Sequence, residues 1–453
     1  MNIFIHRRDF RLNDNSTLNK LKEKEIVPIF IFTPEQIKNN EYFSDNLVQF
    51  MCQSLEELDK EYQKKKSSLN LFFGDVIDIL EEIHKNYTLN SVSFNEDYSP
   101  YASERDTKIK DFCQSHKIKV HSFEDMLLVP IKGEKTYPNK QPYQMFTPFM
   151  RYLKSNYSIS KPKTLKKIFS SSQLSTKYSI TFEETKKYYK KNKDLNVPPG
   201  RKKGLQYLKK VNQQKDYSQK RDSMTYETTY LSAYINLGLV SIREVYHKII
   251  KELGIENGLV TELYWRDFYY NILFFNPHVV GGAFRKQYNK IKWNNSKNDF
   301  EKWCTGQTGF PIVDAAMRQL NSTGYMHNRG RMLVASFLVK DLWIDWRWGE
   351  KYFAQHLEDY NISANNGGWQ WAASTGTDSQ PYFRIFSPWS QSEKYDNDCQ
   401  YIKKWIPELK DVPSKDIHNW FKTYSKHKVN YPHPMVDHKE QAKKAIAYFK
   451  SLK

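Results

Sequence analysis

Residues 359–373 read DYNISANNGGWQWAA, with paired asparagines, paired glycines and two tryptophans two positions apart. Asparagine and glycine favour turns and close backbone approach, so this run makes a poor helix interior, and a plain loop rarely carries two indoles. A pocket for a flat polar ring needs amides at the ring's edge, glycines for close approach and aromatic faces, which is what this run supplies. Upstream, residues 327–332 read HNRGRM and set two arginines and an amide at a helix start. A planar guanidinium suits a buried carboxylate or a phosphate, so one arginine is expected on each. Glu262 and Arg266 stand four apart with Trp265 between them, the spacing of an ordinary helical ion pair or of a site on one helix face. Thr228, Thr229 and Ser232 are either helix-capping hydroxyls or a diphosphate seat, since hydroxyls and helix-start amides bind phosphate.

Other chemistries lack their signatures. The chain contains no GxSxG, HExxH or GxxxxGK[ST], which disfavours serine hydrolases, zinc proteases and P-loop enzymes. Its four cysteines, Cys52, Cys113, Cys304 and Cys399, lie far apart with no CxxC pair, so neither a metal site nor a disulfide framework is expected. Seventy Lys and Arg stand against 51 acids, a formal charge of +19, which points to a polyanionic partner such as nucleic acid. Residues 151–220 hold 19 basic and 4 acidic side chains, so most of the excess sits in one segment. No apolar run is long enough to span a membrane, and the first ten residues enter a polar strand pattern instead of a signal peptide. An intracellular protein, cytoplasmic or nuclear, is the expectation.

The elements that must hold these residues divide the 453-residue chain in two. Short apolar runs at 2–6, 26–32, 69–73, 91–94 and 117–123 read as strands separated by helical stretches at 43–60, 76–86 and 103–116, an alternation that predicts a parallel α/β sheet over 1–128. The turn after the first strand, HRRDFRLNDN, has no glycine, which disfavours a dinucleotide bound in the Rossmann manner. Residues 129–200 dissolve into Pro, Ser and Lys and read as an inter-domain connector. From 201 to 453 helix follows helix, an all-α domain with stretches expected at 231–236, 241–253, 259–275, 311–320, 331–343 and 352–359. All eleven tryptophans fall in it.

Together these segments resemble the DNA photolyase/cryptochrome family, most closely its class I cyclobutane pyrimidine dimer photolyases. The resemblance begins at RRDFRLNDN (7–15) and peaks over 308–388, where GFPIVDAAMRQLNSTGYMHNRGRM and NNGGWQWAASTGTDSQPYFRIFSP are similar to family signature blocks. It implies an N-terminal, Rossmann-like α/β antenna domain and a helical domain holding FAD. It assigns Tyr217, Thr228, Thr229, Leu231 and Ser232 to the phosphates and ribityl chain of FAD, and Glu262, Arg266, Asn328, Arg331, Asp359, Asn361 and Asn365 to positions around its rings and the lesion. Asn365 is expected at flavin N5, and Arg331 with Asp359 as a charge pair beside the ring. Trp369, Trp346 and Trp293 match the chain that carries electrons to photoexcited flavin, and Trp265, Trp371 and Met332 surround a flipped dimer, with Arg329 and Arg384 at its phosphates.

The implied activity is light-driven splitting of cyclobutane pyrimidine dimers in UV-damaged DNA by a monomer. Asn361 stands where the family has a second aspartate, and Leu259 and Tyr325 stand where tryptophans are common. Ala102 and Val280-Gly281 replace residues of folate-binding relatives, so the antenna chromophore stays open among deazaflavin, flavin, folate and none. The alternatives are a cryptochrome-type light receptor, disfavoured because the chain ends within the resemblance, a 6-4 photolyase, disfavoured by Asn328 after His327, and a DASH-type enzyme.

Overall fold

The computed structural model describes residues 1–23, 25–132 and 142–452. Pro138 of the expected connector lies outside them. Two compact units result, one of residues 1–192, 197–215 and 229–277, the other of 193–196, 216–228 and 278–453.

The first unit is built on a sheet in the order β5-β4-β1-β2-β3-β7, from β1 (Asn2–His6), β2 (Glu25–Phe32), β3 (Asn70–Phe73), β4 (Ser91–Asn95), β5 (Lys119–Phe123) and β7 (Ser179–Ile180), while β6 (Ile168–Phe169) pairs with β2. The pairings are parallel except β3 with β7. Strands buried on both faces explain why β1 and β2 read as nearly continuous apolar runs. The helices Asp45–Gln63, Val76–Tyr87 and Pro100–Ser115 alternate with them, each started by a side chain that takes up an orphan amide: Ser44, Asp75 and Ser99.

Two expectations change here. The 129–200 stretch is not bare connector, since it contains the helix Phe146–Asn156 and supplies β6 and β7 to the sheet. Residues 201–215 and 229–277, expected to open a separate helical domain, fold with the sheet instead. The reason is a buried ionic cluster that periodicity does not reveal. Arg11 donates to Asp125 at 2.5 Å and to the Gly238 carbonyl at 2.9 Å, while Arg243 reaches Asp14 at 2.9 Å and Asp125 at 2.7 Å. Burial works against charge on Asp125, but Arg11 and Arg243 overcome it and hold the carboxyl far below its usual range. Gly238, with φ of +63°, lets the Arg8 carbonyl approach to 2.1 Å of where a Cβ would stand. The RRDFRLNDN block thus does structural work: Asp9 also accepts from Asn95, Asn15 and the Arg7 amide.

The second unit is helical among its described residues. Its core gathers Trp303, Trp346, Trp369 and Trp420 with the apolar stripe of Pro311–Thr323. The helix expected over 331–343 begins earlier, at Asn328, and runs to Ser336 before a π-helical turn over Phe337–Asp341; the one expected over 352–359 spans Trp346–His356.

Candidate functional site

The run expected to be a poor helix interior is a helix, Ile362–Ala373. Tertiary hydrogen bonds override its propensities. Asn361 caps it, accepting from the Ser363 and Ala364 amides at 3.1 Å. On the packed side Asn366 donates to Glu350 at 2.8 Å and to the Val279 carbonyl at 2.9 Å, and Gln370 donates to Asn366 at 2.9 Å. The cap also accounts for the Asn361 departure, because asparagine and aspartate both serve that position.

The opposite face of this helix is bare. Ala364 and Gly368 are exposed, Asn365 and Trp371 half-buried, and a Cβ on Gly368 would meet nothing within 4 Å among the described residues. Small residues one turn apart with an amide beside them form a shelf on which a flat ring can lie at van der Waals distance, its edge toward Asn365. The Asn365 amide is oriented by donating to the Glu350 carbonyl at 3.0 Å. Burial pushes the Glu350 carboxyl up to about 7.

Arg331 and Asp359 form the expected pair at 3.0 and 3.1 Å, and Arg331 also donates to the Met326 carbonyl at 2.8 Å. Burial opposes the Arg331 charge, and Asp359 more than restores it. Asn328 is exposed one turn before half-buried Met332, its amide 3.7 Å from the Met332 sulfur. Arg329 departs from expectation. It is buried, salt-bridged to Asp222 at 2.6 Å and laid over the Tyr395 ring at 4.4 Å, so a carboxylate already holds the fork reserved for phosphate. Arg384 is exposed in a turn closed by its own amide on the Pro381 carbonyl. Both arginines of HNRGRM therefore hold carboxylates.

Trp369 and Trp346 are buried and Trp293 half-buried. Trp369 meets Phe353 and Trp303 edge-on, with centroids 4.9 and 6.1 Å apart, and its indole N–H has no hydrogen-bond partner among the described residues. Its ring lies where a Cβ on Gly349 would stand, 2.1 Å from the nearest ring carbon. Gly349, Asn366, Gln370 and Trp303 shape this region and were not singled out from the sequence. A glycine inside an amphipathic helix and amides four apart were the available signals. Trp293 lies 5.1 Å from Trp343.

In the first unit, Glu262, Trp265 and Arg266 share a half-buried face of the helix Gly258–Phe275. Arg266 donates to the Met126 carbonyl at 2.6 Å and lies 3.5 Å from Asp267. Leu231, not a hydroxyl residue, occupies the cap position of Ser232–Asn236 and makes no side-chain cap. Ser232 is exposed, and Thr229 accepts the Leu231 amide at 3.4 Å. Capping in the ordinary sense is thus not the work of these hydroxyls at Ser232–Asn236. Tyr217 and Thr228 belong to the second unit, and Thr228 hydrogen-bonds buried Tyr325.

Residues 2–167 match the family model described as DNA photolyase, and residues 259–451 the one described as FAD binding domain of DNA photolyase. The deoxyribodipyrimidine photo-lyase of Escherichia coli (strain K12) is 33% identical, the alignment covering 99% of this chain and 98% of that protein. Among solved structures, the archaeal photolyase from Sulfolobus tokodaii with two FAD molecules is 39% identical over 99% of each chain, with a TM-score of 0.89. The bacterial class III photolyase from Agrobacterium tumefaciens is 30% identical over 99% of this chain and 97% of its own, with a TM-score of 0.91.

Proposed function

The chain belongs to the DNA photolyase/cryptochrome family and carries its FAD-binding domain, and from that premise we propose that it splits cyclobutane pyrimidine dimers in UV-damaged DNA under light. The observation that carries this reading is the bare face of Ile362–Ala373, whose exposed Ala364 and Gly368 beside Asn365 suit a flat ring system. Reduced FAD, when bound, supplies the light-driven electron that opens the cyclobutane ring and is then returned.

The roles of the chain's own residues follow from their chemistry. Asn365 presents an amide at the ring edge, where its carbonyl accepts a proton-bearing nitrogen. Arg331, its guanidinium held by Asp359, would stand beside the ring when FAD is bound, and its charge would favour an anionic form of the cofactor. In the second unit Thr228 offers its hydroxyl to a diphosphate, and Tyr217, Asn328 and Asn361 are taken as cofactor residues; in the first unit Thr229 and Ser232 offer hydroxyls, and Ser232 its amide, and Leu231, Glu262 and Arg266 are taken as cofactor residues. Trp369, Trp346 and Trp293 form the electron relay, the first two buried and Trp293 half-buried, so that the relay ends toward solvent. For the extruded lesion, the least costly dinucleotide to unstack, the first unit offers Trp265, and the second offers Trp371 and Met332, with Arg384 for flanking phosphate. Arg329 contributes there by exchanging Asp222 for phosphate. The two FAD molecules of the Sulfolobus tokodaii photolyase favour a flavin among the antenna chromophores left open by the sequence.

The test is light-dependent repair, by the FAD-loaded reduced protein, of an oligonucleotide carrying one thymine cyclobutane dimer, with dark and 6-4-lesion controls. Thymine regained only in light and only from the cyclobutane lesion is the expected result. Absence of repair by protein that retains photoreducible FAD overturns the reading in favour of a light receptor.

A further inference from the structure

Trp265 does not stand alone on its helix. The ring of Phe146 lies parallel to the indole, centroids 3.7 Å apart and planes 7° from parallel. Aromatic pairs ordinarily settle 4.5–7 Å apart, offset or edge-on, so a separation this short requires nearly full overlap of the two faces. Phe146 is 5% exposed, while Trp265 is only half-buried. One indole face is therefore covered by protein, and the exposed area of Trp265 lies elsewhere on the ring.

Phe146 is itself held in place. It opens the helix Phe146–Asn156 and meets Phe268 edge-on at 5.9 Å. Phe268 is fully buried, packs against Phe149 at 5.4 Å, and meets Trp265 edge-on at 5.7 Å. Phe146 thus fixes the plane of the indole, Phe268 fixes its edge, and Tyr269 flanks it, tilted by 31° at 5.6 Å, so rotation of Trp265 out of plane breaks the contacts while part of the half-buried indole stays open to solvent. A stacking platform that is rigid before binding loses less side-chain freedom when a base arrives, and keeps a single face on offer.

We propose that Phe146 is a positioning residue that backs one face of Trp265 and so presents the other, preorganised, to a base of the damaged DNA. This inference rests on the reading of Trp265 as part of the lesion's wall. No local pattern around residue 146 marks it, because the contact joins segments 119 positions apart in the chain.

The test measures dark equilibrium binding of the full-length, FAD-loaded protein to two oligonucleotides, one with a single thymine cyclobutane dimer and one undamaged. Phe146→Leu keeps the buried volume and removes the flat face; Phe146→Tyr keeps the flat face. The expected result is a loss of about three- to tenfold in lesion affinity for Phe146→Leu, unchanged affinity for undamaged DNA, and wild-type selectivity for Phe146→Tyr. Equal loss on both DNAs assigns Phe146 to the fold and overturns the proposal. Unchanged lesion affinity in Phe146→Leu, with selectivity lost in Trp265→Ala, overturns it too. Tighter lesion binding by Phe146→Leu also overturns it, since the ring would then occupy the face the base needs. Retained selectivity in Trp265→Ala refutes the assignment of Trp265 itself, and the proposal with it.

Discussion

Replacing Gly368 separates the demands of the fold from those of the cofactor. Gly368 lies inside the helix Ile362–Ala373, where glycine costs about 1 kcal/mol relative to alanine through backbone entropy. A Cβ there meets nothing within 4 Å, so Gly368→Ala is expected to stabilise the apoprotein by about 0.5–1 kcal/mol, read from urea unfolding midpoints. The same open space is the shelf assigned to the flat ring of FAD. A leucine at this position leaves the apoprotein intact but projects its branched end over Ala364 and beside Asn365. Overpacking of a fitted contact costs about 1–3 kcal/mol, which corresponds to a weakening of FAD binding of roughly 5- to 150-fold. Quenching of flavin fluorescence on titration with apoprotein measures this directly. A Gly368→Leu protein that binds FAD as tightly as the parent refutes the placement of the ring on this face, and a destabilised Gly368→Ala protein refutes the claim that the face is open.

Three further outcomes are expected. Trp369→Phe abolishes photoreduction of oxidised FAD, followed by absorbance under blue light, while repair by chemically reduced protein survives; unchanged photoreduction removes Trp369 from the relay. Gly349→Ala forces the Trp369 ring, 2.1 Å from the added Cβ, out of its seat, so photoreduction slows together with a loss of stability of about 1–3 kcal/mol, and an unaffected Tm contradicts the packing described. Asp267 is pushed up to about 7 by burial, more than the nearby Arg266 offsets, so the native state keeps a proton that the unfolded chain has released above its ordinary value near 3.8. Its contribution to stability therefore falls as pH rises from about 4 to 7, by at most about 1.4 kcal/mol per pH unit. Asp267→Asn, which keeps an acceptor for the Leu128 amide at 2.8 Å, flattens that slope, and identical urea midpoints for both proteins at pH 5 and pH 7 disprove it.

Much of the fold is legible along the chain, for a physical reason. Strands buried on both faces are apolar nearly throughout, so β1 and β2 stand out as short apolar runs, and helices packed on one side carry stripes such as that of Pro311–Thr323. The site was legible in part. The Arg331–Asp359 pair forms as expected because a guanidinium beside a buried carboxylate has few other partners. Arg329 was assigned to phosphate, and no local pattern announces Asp222, 107 positions earlier, as its partner.

What the sequence by itself determined is therefore the alternation of elements, the polyanion-seeking charge, and a set of amides, arginines and indoles suited to a ring-shaped cofactor and a stacked base. Tertiary structure decided the rest. It made a helix of residues 362–373 where propensity predicted a poor helix interior, because Asn366 and Gln370 find Glu350 and the Val279 carbonyl only in the folded chain. Residues 229–277 joined the sheet because Arg11, Asp14, Asp125 and Arg243 can leave water only together. Phe146 came to lie on Trp265 for the same kind of reason: local preferences act over a few residues, while burial of charge and overlap of rings are settled between segments that meet only once the chain has closed.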